Sequence, residues 1–227
     1  MSARTGLKVV DGLMSYASDG RGKPSDQQRA LYLGAVAFSY AVWENYVEDL
    51  AVEAAGWLAE EVEPSRLTGK VQRFISKDAS VWELAVHPGW RGLWVERIIA
   101  LAKGDGKSGR WGLNTASLQN SSDLLMSAGV EPLPQRLGAP ARRPAPTRVD
   151  IGSDGTVDVD QCLRVLIEVR GQAVHTAQTA DKLFKAEVLW WRDFVEALYT
   201  ETNTRAEEQC RAQLASDSAP TAGLLPG

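Results

Sequence analysis

The chain has two histidines among its 227 residues, and one of them follows an arginine by five positions in the stretch LIEVRGQAVHTAQ, Leu166 to Gln178. An arginine keeps its charge in any protein and can give two hydrogen bonds to the oxygens of a phosphate. An imidazole titrates at about pH 6.5 and can take or give a proton under neutral conditions. Arg170 and His175 therefore hold the chemistry for work on a phosphate ester. On a helical wheel Arg170 falls inside the arc of Cys162, Leu163, Val165, Leu166, Val169, Ala173, Val174 and Ala177, whereas His175 lies about 140° from it. An arginine on a buried face needs a partner, and Glu44, in an apolar stretch upstream, is the candidate acid. Two readings stand side by side. Either Arg170 is a structural arginine paired with Glu44 and His175 is an unrelated surface residue, or the helix borders a cleft in which cation and imidazole act together. Gly171 sits mid-helix, where it costs about 1 kcal/mol relative to alanine.

The elements that must position these residues read as helices. An amphipathic helix opens the chain, and a Gly-rich connector leads to Ser25 or Asp26, a fair N-cap for a proline-free run of about ten turns. Its part from Ala30 to Trp43 is apolar nearly all round, which predicts burial on several sides. Shorter helices are expected near Leu67–Lys77, Arg91–Lys103 and Ser117–Ala128, with Trp90 and Trp94 sharing a core-facing side. Residues 132–158 form a Pro- and Arg-rich irregular segment, with a turn at Asp154–Gly155 and room for a small hairpin. Two helices follow, about Val159–Thr176 and about Asp181–Glu208. The second carries Phe184, Val188, Trp191, Val195 and Leu198 as an apolar stripe. The expected architecture is an all-α bundle: one domain over residues 1–214 with a loop-rich middle insertion, then a disordered tail at 215–227.

Composition narrows the function classes. A formal charge of -4 speaks against coating nucleic acid through bulk charge, though not against a local basic cleft. No apolar run approaches the roughly 18 residues of a membrane span, and the start lacks the apolar core of a signal peptide. The expected compartment is the cytoplasm. Cys162 and Cys210 read as reduced thiols, and with the histidines scattered no metal site and no cofactor is expected. GDGKSGR, Gly104 to Arg110, fails as a phosphate loop because Leu101 stands where the first glycine belongs and a helix precedes it. DIGSDGTVDVDQ, Asp150 to Gln161, fails as a calcium loop because Gly152 and Gln161 occupy ligand positions. His87, before Pro88, reads as a loop residue.

The Arg-x4-His string VRGQAVHTA on the penultimate helix, together with AVAFSYAVWENYVEDLA and its Trp43–Glu44 pair on the first long helix, resembles the HEPN superfamily, most nearly its RiboL-PSP-HEPN-like members. The resemblance covers Ala30–Leu58 and Val159–Tyr199. It implies a HEPN-like helical bundle that forms a homodimer with two Arg–His motifs in a shared cleft. It also implies a metal-independent endoribonuclease of toxin–antitoxin or phage-defence systems, with a possible antitoxin or defence partner protein. Arg170 and His175 become the catalytic pair, and Glu44 a supporting residue that orients Arg170. Arg142, Arg143 and Arg148 can line an RNA path; otherwise their segment is a solvated linker. Gly171 stands where active members usually carry a polar residue, often asparagine, and Thr176 where a glycine often follows. That departure defines the alternative, a catalytically silent HEPN bundle binding nucleotide, RNA or a partner protein.

Overall fold

The long second helix is the axis of the molecule, and its start is written in the sequence. Ser25 Oγ accepts from the Gln28 amide at 3.2 Å while Gln28 Oε1 accepts from the Ser25 amide at 2.9 Å, a reciprocal cap that satisfies two otherwise orphaned donors. In this computed structural model residues 3–17, 23–63, 66–76, 89–106, 112–142, 144–176 and 183–215 are described. Their helices are α1 (Ala3–Ser15), α2 (Asp26–Glu61), α3 (Gly69–Ser76), α4 (Trp90–Lys103), α5 (Leu118–Ser127), α6 (Val159–Thr176) and α7 (Lys185–Ala215). The fold is all-α, with a sheet of two three-residue strands, β1 (Arg136–Gly138) and β2 (Thr156–Asp158).

Helices α1, α4, α5, α6 and α7 all pack against α2. Small residues at Ala35, Ala51, Ala54, Ala55 and Ala59 on its buried faces leave room for neighbouring helices. At Gly6 of α1 a methyl group would meet Val42 Cγ2 at 2.5 Å, so any larger residue there would push the valine aside. Burial on several sides of α2 follows, except that Phe38 is half exposed. Trp43, Trp90, Trp94, Trp190 and Trp191 are all buried. Trp90 and Trp94 stack at 6.3 Å between centroids, and the Trp94 indole donates to the Ser127 carbonyl at 2.9 Å. At the far side of the bundle Arg192 of α7 forks onto Asp11 of α1, with Nε–Oδ1 at 2.8 Å and Nη2–Oδ2 at 2.9 Å.

The stripe of α7 holds at Val188, Trp191, Val195 and Leu198, which are buried, but Phe184 is 46% exposed. It precedes the helix rather than riding on it: its amide donates to Glu187 Oε2 at 3.0 Å, and its carbonyl accepts from the Glu187 and Val188 amides. The irregular segment is more ordered than its composition predicts. β1 pairs antiparallel with β2 in the register Arg136–Asp158, Leu137–Val157, Gly138–Thr156. The expected turn is present, with Gly155 at φ 75°, the Gly152 amide donating to the Thr156 carbonyl at 2.8 Å, and an Ile151–Val157 bridge closing it. Asp154 Oδ1 accepts from the Thr156 amide and hydroxyl, which is turn chemistry. Among the described residues no cluster of three acidic, histidine or cysteine side chains is placed to hold a metal ion. His87, residues 107–110 of the Gly-rich stretch and the tail at 216–227 lie outside the described residues.

Candidate functional site

Helix α6 runs over the span its periodicity predicts and buries Cys162, Leu163, Val165, Leu166 and Val169. Ala173 is only partly covered and Val174 is 56% exposed, so the apolar face ends one turn before the helix does. Arg170 sits at that edge, half-buried. Its guanidinium carbon lies 5.4 Å from the centroid of the Tyr40 ring on α2, within range of a cation–π contact. Arg170 makes no hydrogen bond or ion pair among the described residues.

Glu44, one turn beyond Tyr40, does not take the arginine. Its Oε1 accepts the Tyr40 hydroxyl at 3.1 Å, and that hydroxyl in turn accepts from the Ala116 amide at 2.8 Å. The Trp43 indole donates to the carbonyl of the same residue, Ala116, at 3.1 Å. Tyr40 and Trp43 thus hold both backbone groups of one residue in the α4–α5 connection, and Tyr40 is fixed as a platform between Glu44 and Arg170. The expected direct Glu44–Arg170 pair is replaced by this relay because the tyrosine reaches the carboxylate first.

Burial raises the Glu44 carboxyl above the usual carboxylate range, opposed by the Tyr40 hydrogen bond and by the charge of Arg170. Burial also raises the Tyr40 hydroxyl, with Glu44 adding to the shift. A carboxyl that holds its proton more readily leaves Arg170 less neutralised. The sign for stability follows from linkage. Glu44 contributes most below the ordinary glutamate range and loses that contribution as pH rises through its raised native value. Glu44→Gln, neutral throughout, should therefore gain on the wild type in melting temperature between about pH 4 and pH 7. Thermal melts across that range check it; a variant that instead loses ground as pH rises would mean Arg170's attraction outweighs burial.

His175 lies in the last turn of α6, exposed. Five residues from Arg170, it is about 7.5 Å further along the axis and about 140° round it. The structure thus gathers Arg170, Tyr40 and Glu44 against α2 and leaves His175 at the open end of the same helix. A Cβ at Gly171 would meet nothing within 4 Å, so no close contact demands glycine there. Gly171→Ala should raise stability by up to about 1 kcal/mol, measurable by urea denaturation. An unchanged or lower midpoint would show that α6 uses the flexibility.

Arg142 and Arg148 are occupied. Arg148 forks onto Glu168 of α6 at 2.8 and 2.6 Å and pulls that carboxyl below the usual range, and Arg142 donates to Asp193 of α7 at 2.9 Å. Among its described residues the segment from Arg136 to Arg148 is no plain solvated linker, since Leu137, Pro140 and Pro146 are buried. Exposed ion pairs of this kind contribute roughly 0–1 kcal/mol, so a phosphate can compete for either arginine at small cost. Arg143 lies outside the described residues. Sequence reasoning passed over Tyr40, whose only signal was its place one turn before Glu44. No helix is long and apolar enough to cross a membrane among the described residues. No known family, no curated protein and no solved structure matches this chain.

Proposed function

We propose that this chain is an endoribonuclease of HEPN type that uses Arg170 and His175 on the phosphodiester of RNA. The observation that carries the reading is the state of Arg170: half-buried on Tyr40, without a hydrogen bond or ion pair among the described residues, on the same helix as an exposed imidazole. A guanidinium so held keeps its donors for an anion and costs little reorganisation when one arrives. Attack by the 2'-OH needs a proton acceptor, stabilisation of the added negative charge, and protonation of the departing 5'-oxygen. His175 takes a proton-transfer role and Arg170 binds the phosphate oxygens. In a homodimer a second His175 supplies the other proton transfer, so acid and base are separate side chains. Glu44 acts through Tyr40, holding the platform on which Arg170 rests. A defence or toxin role, with an antitoxin or other partner, belongs to the same reading, as does the cytoplasm as its setting.

The test is incubation of the purified protein with a broad RNA panel in EDTA, followed by end-group analysis. Cleavage leaving 2',3'-cyclic phosphate ends is expected, and intact RNA across the panel overturns the enzyme reading. Gly171 favours a second reading, a bundle that binds without cutting. Because a Cβ meets nothing there, Gly171→Asn separates the two: cleavage gained only on introducing asparagine would identify a silent site.

A further inference from the structure

A separate cavity of about 360 Å³ opens between the start of α1, the second half of α2 and the middle of α7. Tyr46, Asp49, Glu53, Tyr199 and Asn203 line it, with Ala3 at its edge. The two tyrosine rings meet edge to face at 5.2 Å and form an aromatic wall. The Tyr46 hydroxyl is buried and has no hydrogen-bond partner among the described residues, an uncommon state for a phenol in a folded protein.

The charges around this wall do not cancel. Lys103 binds Glu48 at 2.9 Å and Asp49 at 2.7 Å, one cation against two carboxylates. Glu207, hydrogen-bonded by Asn203, is matched by Arg211 at 2.9 Å. Glu53 is exposed and makes no hydrogen bond or ion pair among the described residues. These six side chains together carry about two negative charges, which outweigh the roughly half positive charge of the α1 N-terminus and the single charge of Arg4 beside Ala3. Burial first, then Tyr199, Glu207 and Glu53, raise the Tyr46 hydroxyl above the phenol range, so the field of these acids reaches the ring.

We propose that this cavity binds a linear alkyl polyamine, with one ammonium group against the tyrosine wall and Glu53 and the next toward Asp49. An ammonium ion is attracted to an aromatic face and to a carboxylate alike. The volume falls within the range of small-molecule sites, and Glu53 without a partner, together with Glu48 and Asp49 sharing the single cation of Lys103, suits a ligand with at least two positive charges. The proposal stands independently of the ribonuclease reading.

Spermidine titrated into the full chain by calorimetry at about 0.15 M salt, where surface attraction is largely screened, should bind one to one. Uncharged 1,4-butanediol should give no heat. Glu53→Gln should weaken spermidine at least about fivefold, a loss of about 1 kcal/mol. Glu60→Gln removes the same charge from an exposed position on α2 away from the cavity and should leave binding unchanged. Absence of spermidine binding, or equal weakening by the two substitutions, overturns the proposal. Both glutamates are exposed, so neither variant puts folding at risk.

Discussion

His175→Ala should reduce RNA cleavage in EDTA by about 10²–10⁴-fold, the usual contribution of a positioned acid or base, while leaving the melting temperature in place. The two halves of that expectation rest on different facts. The first rests on the proposed proton transfer, and the second on the exposure of His175 in the final turn of α6, where its loss removes no buried contact. Single-turnover assays with saturating enzyme isolate the chemical step and check the first half. A thermal melt checks the second. Arg170→Ala should lower the rate on a similar scale, since a single oxyanion-stabilising donor is worth about 10²–10³-fold. It also strips the cation from Tyr40, so its melting temperature is expected to fall as well. A His175→Ala chain that cuts as fast as the wild type would remove the imidazole from the reaction.

Trp43→Ala should destabilise the fold by about 3–5 kcal/mol, the range for deleting a buried large aromatic side chain. Trp43 is fully buried near the middle of α2, with Tyr46 at 5.9 Å between centroids. Its indole also supplies the hydrogen bond to the Ala116 carbonyl, which the substitution leaves without that donor. For a chain of this size the loss corresponds to a fall of roughly 6–20 °C in melting temperature. Trp43→Phe keeps an aromatic ring in place but drops the N–H, and should fall between the two, readable even if the alanine variant does not fold. A cost below about 1 kcal/mol for Trp43→Ala would show that the α4–α5 connection holds its place without the indole.

The sequence made the helices that frame the site legible because their signals are local. Ser25 and Gln28 spell the start of α2, and the apolar period spells α6 over its whole length. What it could not show were contacts between distant segments. Glu44 and Arg170 were identifiable as a candidate ion pair by type alone, yet nothing local says that a tyrosine one turn away intercepts the carboxylate. The pairing of β1 with β2 was equally hidden. Each strand has three residues, too few for an alternating pattern, and the partners stand eighteen or more positions apart. Phe184 was counted into the stripe of α7 because spacing cannot distinguish a first helical residue from the residue that caps it.

The short sheet has a bearing on how this fold can vary. The Ala139 amide donates to the Gly155 carbonyl at 2.9 Å, and the Val159 amide to the Gln135 carbonyl at 3.0 Å. The stretch between them is therefore fastened at its two ends, like the neck of a drawstring bag. Between those ends the chain folds back on α6, where Gln161 Nε2 donates to the Arg148 carbonyl at 3.2 Å and to Asp150 Oδ2 at 3.1 Å, and Val149 is buried. Changes of charge at the exposed positions of this stretch would leave Arg170 on the Tyr40 ring as long as those contacts to α6 are kept.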